Sequence, residues 1–199
     1  MSIVSIATKT TDLDGLPVLI SLSCGSRNIE LPIKDYLYKM TPEARDCISD
    51  EVYKAIETNG LEAMDAFSHL YYFIQECDNP VMLAHNIDFE RKILANFCED
   101  LEYPSDYIES QFHRVKQDIQ QIVMYMMNQV SFDLNSYKLT DLLDTFDIKQ
   151  HHNKAVNQQK LYVELVNLMD VGKPKAVKCK HCYAMAVEDG ECWLCGSKQ

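Results

Sequence analysis

The chain lacks any run of about 18 apolar residues, the length that a transmembrane helix needs. Its N-terminus lacks a basic segment followed by an apolar core, so no secretory signal peptide is predicted. Internal repeats and low-complexity segments are also missing. We therefore expect no membrane partner, a reducing intracellular compartment and a packed globular core, for which the 47% hydrophobic fraction is ordinary.

Positive charge is scarce in this sequence. The 199 residues carry 19 Lys and Arg against 30 Asp and Glu, a formal net charge of −11. Residues 171–199 hold five lysines and three acidic residues, so the first 170 residues carry a net charge of −13. A domain this acidic repels nucleic acid over much of its surface, which favours a protein partner. The basic C-terminal segment leaves nucleic acid open as a partner at that end.

The eight cysteines divide into two sets. Four are scattered, a pattern typical of buried thiols in an intracellular protein: Cys24, Cys47, Cys77 and Cys98. Four form two Cys-x-x-Cys pairs separated by nine residues: Cys179, Cys182, Cys192 and Cys195. This spacing predicts a tetrahedral site for a structural Zn²⁺ in a small ribbon over 179–199, with rubredoxin-like iron as the alternative. So short a segment cannot bury a core, so we expect the metal to fold it after a linker over 171–178.

Apolar periodicity predicts the elements of the first 170 residues. A meander of three strands, a buried strand and a last short strand are predicted at 3–8, 17–22, 29–33, 81–84 and 112–115. Helices are predicted to begin near Pro42 and Ser49 and to occupy 61–77, 88–101, 119–127, 139–146 and 155–170. Strands and helices in this order indicate an α/β domain with a mixed sheet.

Four features follow one another along residues 1–170. An apolar strand leads into a Thr-rich turn and Asp-Leu-Asp-Gly over 3–15, and Ala-His-Asn-Ile-Asp-Phe-Glu occupies 84–90. Ser-Tyr-Lys-Leu-x-x-Leu then occupies 136–142, and His152 precedes Asn157 by five residues. Together these features resemble the motifs of the DEDDh 3′–5′ exonucleases, proofreading-type nucleases of the ribonuclease H-like superfamily. The resemblance implies a five-stranded mixed sheet with helices on both faces, spanning residues 1–170.

The resemblance also implies where an active site would lie. The family uses two acids on its first strand, a third in a His-Asn-x-x-Phe-Asp motif and a fourth after a His general base. Those acids hold the two metal ions that cleave a phosphodiester. At the acid positions this chain has Ala7, Lys9, Glu90 and Asn157, with His152 at the position of the base. One carboxylate remains, and the ammonium of Lys9 would repel Mg²⁺.

Neighbouring residues are not expected to restore the site. Asp88 is more typical of an acid at a helix N-terminus than of a metal ligand. Lys9 is expected either to pair with Glu90, replacing the metal as its countercharge, or to lie exposed to solvent. His85 is expected to be a hydrogen-bonded structural residue.

Two functions from different classes remain. The first is a catalytically inactive, exonuclease-like protein that binds a protein or nucleic-acid component of replication, transcription or RNA turnover. The alternative is a divergent 3′–5′ exonuclease on DNA or RNA that uses Mg²⁺ or Mn²⁺ through rearranged ligands. The number of acids at the motif positions favours the first. A third interpretation, deliberate replacement of the acids, would explain Ala7 better than Lys9.

Overall fold

The computed structural model of the protein describes residues 2–129, 136–171, 176–178 and 185–187. The chain divides into two compact units, residues 1–162 and residues 163–199. The first unit contains a sheet of five strands: β1 (Ile3–Thr10), β2 (Pro17–Cys24), β3 (Arg27–Pro32), β4 (Val81–Ala84) and β5 (Lys116–Asp118).

The strand order of this sheet is β3-β2-β1-β4-β5. β1, β2 and β3 form an antiparallel meander, in which Ile6 lies opposite Leu22. β4 runs parallel to β1, and β5 runs parallel to β4. The sheet is therefore mixed, and β1 is its central strand.

Seven α-helices are described, with these bounds: α1 (Pro42–Asp46), α2 (Asp50–Asn59), α3 (Ala63–Gln75), α4 (Ile87–Asp100), α5 (Ile119–Gln129), α6 (Leu139–Thr145) and α7 (Lys154–Val171). Two short 3-10 helices lie at Lys34–Lys39 and Glu109–Gln111. Two of the α-helix starts depend on carboxylates from distant elements. The backbone N–H of Ala63 donates to Asp35 Oδ2 at 2.8 Å, and that of Ile87 donates to Asp118 Oδ2 at 2.8 Å. These bonds satisfy N–H groups that a helix leaves without a partner at its first turn.

The two faces of β1 differ in chemistry because successive side chains point to opposite sides of a strand. Val4 and Ile6 are fully buried in the main apolar core, which also contains side chains of α3 and α4. Ser5, on the opposite face, donates from Oγ to Gln158 Oε1 of α7 at 2.8 Å. On β2, Ser23 likewise donates to Gln159 Oε1 at 2.5 Å. Polar contacts thus attach the start of α7 to the sheet.

Two expectations from the sequence are wrong in detail. The last strand lies at Lys116–Asp118 and not at 112–115, where Phe112 is buried outside the sheet. β5 is a short polar strand at the sheet edge, so it carries no apolar alternation to identify it. Of the four scattered thiols, Cys77 and Cys98 are buried as expected, whereas Cys24 is half-buried and Cys47 is exposed.

In the second unit, two short strands, β6 (Ala176–Lys178) and β7 (Met185–Val187), pair antiparallel, with Val177 opposite Ala186. The four clustered cysteines lie outside the described residues. Within the described part of the chain, no helix combines the length and apolar character that crossing a bilayer requires.

Candidate functional site

A cleft of about 630 Å³ opens at the C-terminal end of β1. The end of β1, the turn after it, α1 and the first residues of α4 and α7 provide its lining: Thr8, Lys9, Thr10, Asp12, Leu13, Glu43, Ala44, Cys47, Ile48, Phe89 and Lys154. Two ammonium groups and two carboxylates therefore face a mainly apolar space.

The first two motif positions lie on β1. Ala7 is 2% exposed and offers no polar group. Lys9 is half-buried in the cleft wall, and its Nζ donates to the carbonyl oxygen of Cys47 at 3.2 Å. Among the described residues no ion pair joins Lys9 to Glu90, so the expected pair between them is wrong. The side chains of Thr8 and Lys9 point to opposite faces of β1, because successive residues alternate along a strand. Thr8 therefore contacts Glu90, whereas Lys9 contacts the residue after α1.

Glu90, in the first turn of α4, is 2% exposed. Its Oε2 accepts a hydrogen bond from Thr8 Oγ1 at 2.7 Å. Burial raises the pKa of Glu90 to about 7, although the hydrogen bonds from Thr8 and the charge of Lys154 act in the opposite direction. The surviving motif carboxylate is therefore enclosed by protein and easily protonated, which makes it a poor ligand for a hydrated cation.

Lys154 is the cation that acts on Glu90, and sequence reasoning missed it. It is the first residue of α7 and lines the cleft together with Lys9. It also lines a neighbouring cleft of about 340 Å³, which His85 and Asn157 reach. The only sequence signal was its position between His152 and Asn157 of the third motif.

The side chain of Asn157 hydrogen-bonds to the backbone of the loop that precedes α7. It is 7% exposed, its Oδ1 accepts from the backbone N–H of His151 at 2.7 Å, and its Nδ2 donates to the His151 carbonyl at 2.8 Å. His152, at the position of the general base, is exposed, and its ring lies 4.0 Å from that of His151. Both hydrogen-bonding groups of the Asn157 amide are thus engaged in holding the loop before α7.

Two further expectations are confirmed. Asp88 is an exposed acid of the first turn of α4 and pairs with Arg91 at 3.4 Å, away from the cleft. His85 Nε2 lies 2.7 Å from the carbonyl oxygen of Tyr137, and burial lowers the pKa of its ring. Neither residue therefore adds a metal ligand beside the Glu90 carboxylate.

The residues at the motif positions do not fit a two-metal centre. Such a centre needs several carboxylates to hold its two ions. Ala7, Lys9 and Asn157 provide none, and Glu90 is enclosed behind Thr8. In the part of the chain that the structure describes, no group of three or more His, Cys, Asp or Glu side chains is arranged to hold a metal ion.

No protein-family model matches the chain, and no curated protein matches it in sequence. Solved structures of exonuclease I do match its fold. Exonuclease I in complex with the inhibitor BCBP is 13% identical with a TM-score of 0.68, over 87% of this chain and 42% of that one. An ExoI/SSB-Ct complex is 13% identical with a TM-score of 0.67, over 84% and 41% of the two chains. The zinc ion bound form of the E. coli ExoI–ssDNA complex is 13% identical with a TM-score of 0.63, over 84% and 39%.

These likenesses establish the fold of the chain. It is an α/β protein with a ribonuclease H-like fold, a mixed five-stranded sheet flanked by helices, and the predicted fold class is confirmed. The chain spans about two-fifths of the length of the exonuclease I chains that it matches. At 13% identity these likenesses show the fold and no activity, so a function for this chain rests on the chemistry of the cleft.

Proposed function

We propose that this chain is an exonuclease-like binding protein that does not hydrolyse nucleic acid and acts in replication, transcription or RNA turnover. One observation carries the proposal: three of the four acid positions hold Ala7, Lys9 and Asn157, and the fourth, Glu90, is 2% exposed beneath Thr8. The residue at a motif acid position that lines the cleft is Lys9, an ammonium in place of a carboxylate that metal-assisted hydrolysis requires. The two lysines of the cleft are available for contacts with a partner instead.

Two kinds of partner are consistent with this function. Exonuclease I structures include complexes with an SSB C-terminal segment and with single-stranded DNA. The charge of −13 over residues 1–170 favours a protein partner for this chain. Lys9 and Lys154 in the cleft, and the lysines of the linker and ribbon, supply the cationic groups that contact with nucleic acid would need.

A degradation assay tests the absence of hydrolysis. The purified chain is incubated with end-labelled single-stranded DNA or RNA in Mg²⁺ or Mn²⁺, and exonuclease I serves as the positive control. We expect no shortening of either strand above the buffer blank. Degradation that disappears in Glu90→Gln and persists in the exposed-site control Glu57→Gln would instead establish a divergent exonuclease whose metals are held by Glu90 together with carboxylates outside the motif positions.

We propose that Cys179, Cys182, Cys192 and Cys195 bind one structural Zn²⁺ and that residues 179–199 form a zinc ribbon after a linker, with β6 at Ala176–Lys178 adding a strand to the ribbon through its pairing with β7. The support is the spacing of two Cys-x-x-Cys pairs, which suits a closed tetrahedral site. Four thiolate ligands leave no open position on the ion. Its role is therefore structural, and the fold of the ribbon depends on it.

Elemental analysis of the purified protein tests the zinc proposal. We expect about one zinc per chain, and less than a tenth of that in a Cys179→Ser/Cys182→Ser variant, because two ligands cannot close a tetrahedral site. Cys47→Ser, which removes an exposed thiol elsewhere, is expected to retain the metal. Iron in place of zinc would indicate the rubredoxin-like alternative, and metal content unaffected by the double substitution would contradict the proposed ligands.

A further inference from the structure

A cluster of tyrosines lies on the surface of α3 and on the segment that follows α4. It consists of Tyr71, Tyr72, Tyr103 and Tyr107, and we refer to it as the tyrosine platform. Tyr72 is 63% exposed, and the other three rings are partly buried against the core. The platform therefore presents one exposed ring and three partly exposed rings at one place on the surface, and contiguous apolar surface of this kind is typical of interaction sites.

The rings of the platform contact one another in sequence. Tyr72 meets Tyr71 edge-to-face at 5.7 Å between centroids, and Tyr71 stacks on Tyr107 at 6.0 Å. Tyr107 lies 5.0 Å from Tyr103. Beneath them, the buried ring of Phe67 stacks on Tyr103 at 4.6 Å. These contacts hold the rings in place, so binding costs little conformational entropy at the platform.

The two segments that carry the platform are acidic, and among the described residues cations from other elements pair with only two of their carboxylates, Asp100 and Glu109. Neither α3 nor residues 99–110 contain a Lys or an Arg. Four exposed carboxylates belong to these two segments and form no ion pair among the described residues: Asp65, Glu99, Glu102 and Asp106. Glu102 directly precedes Tyr103 in the chain, and Asp106 directly precedes Tyr107.

Aromatic faces and free carboxylates together favour one kind of ligand group. A guanidinium is planar, stacks on aromatic rings and forms paired hydrogen bonds with carboxylates. The phosphates of a nucleic acid would be repelled by the same carboxylates, although its bases could stack. We propose that the tyrosine platform binds an arginine-rich segment of a partner protein. This inference rests on the proposed function as a binding protein and gives that function a surface and a partner chemistry.

The test uses the full chain and a fluorescein-labelled nona-arginine peptide, with affinity followed by fluorescence anisotropy. Tyr72→Ala is expected to weaken binding about threefold to fivefold, the effect of losing one exposed cation–π contact. Tyr38→Ala is the matched control, because Tyr38 is 81% exposed, its ring lies beside Lys39, and no ring contact joins it to the platform among the described residues. Its affinity for the peptide is expected to equal that of the wild type. Equal binding by wild type and Tyr72→Ala, or equal losses in the two variants, would overturn the proposal.

A second pair of variants tests the carboxylates, and two other probes test the ligand. Asp106→Asn is expected to weaken peptide binding about twofold more than Glu57→Gln, which removes the same charge from α2.

Nona-lysine is expected to bind more weakly than nona-arginine, because an ammonium does not stack. A single-stranded thymidine oligonucleotide should show no dependence on Tyr72, and a loss of its binding in Tyr72→Ala would assign the platform to nucleic acid and overturn the proposal. Since the peptide assay contains no nuclease substrate, its result is independent of the degradation assay.

Discussion

Glu90→Gln is expected to be more stable than the wild type by about 3 kcal/mol at pH 8, and to differ from it little at pH 4.5. The reason is the burial of Glu90, which raises its pKa from 4.5 to about 7 in the folded protein. Above pH 7 the folded protein must hold a desolvated carboxylate, whereas the unfolded chain exposes the same group to water. Glutamine removes this cost and still accepts the hydrogen bond from Thr8.

The sign of the pH dependence follows from proton binding. Between about pH 4.5 and 7 the folded wild type holds a proton on Glu90 that the unfolded chain has released. Stability therefore falls as the pH rises through this window, and the loss is complete above the folded-state pKa. Below pH 4.5 both states are protonated, and Glu90 resembles the neutral glutamine.

Urea unfolding of both proteins from pH 4.5 to 8.5 measures the effect. The difference between the two curves isolates Glu90, because all other groups titrate in both proteins. Glu57→Gln is the control, since it removes an exposed glutamate of α2 and should give a curve parallel to that of the wild type. If the Glu90→Gln curve were also parallel to that of the wild type, folding would not raise the pKa of Glu90, and the interpretation of the site would be wrong.

Phe67→Ala is expected to destabilise the protein by about 3–5 kcal/mol, the range for truncating a buried aromatic residue. Phe67 is 4% exposed in α3 and has aromatic partners on two sides. Its ring meets Phe97 edge-on at 5.7 Å and stacks on Tyr103 at 4.6 Å. Alanine leaves a cavity between the core and the tyrosine platform, and both sets of contacts are lost together.

Chemical denaturation with circular dichroism detection measures this loss. Met64→Ala is the control on the same helix, because Met64 is 46% exposed and its truncation is expected to cost less than about 0.5 kcal/mol. Phe67→Leu should cost less than Phe67→Ala, since it retains more of the buried volume. A Phe67→Ala variant as stable as Met64→Ala would mean that the ring is not part of the core.

The fold was largely predictable from local patterns. The meander, the buried strand at Val81–Ala84 and the long helices lie where periodicity and turn residues indicate. The five-stranded mixed sheet was expected from the family resemblance alone, because pairing joins residues that are far apart in sequence, such as Val4 and Met82. β5 was misplaced because a polar edge strand has no periodic signature, and the exposure of Cys47 was missed because burial depends on distant neighbours.

The sequence by itself determined which residues stand at the motif positions and therefore which carboxylates are missing. Only the tertiary structure decided what the replacements do: Lys9 contacts Cys47, Asn157 holds the loop at His151, and Lys154 is the cation near Glu90. The same holds for the tyrosine platform, whose rings come from two segments about 30 residues apart in the chain. Residue identity is a local property, whereas burial, hydrogen-bond partners and pKa depend on packing between distant segments, and only folding brings those segments together.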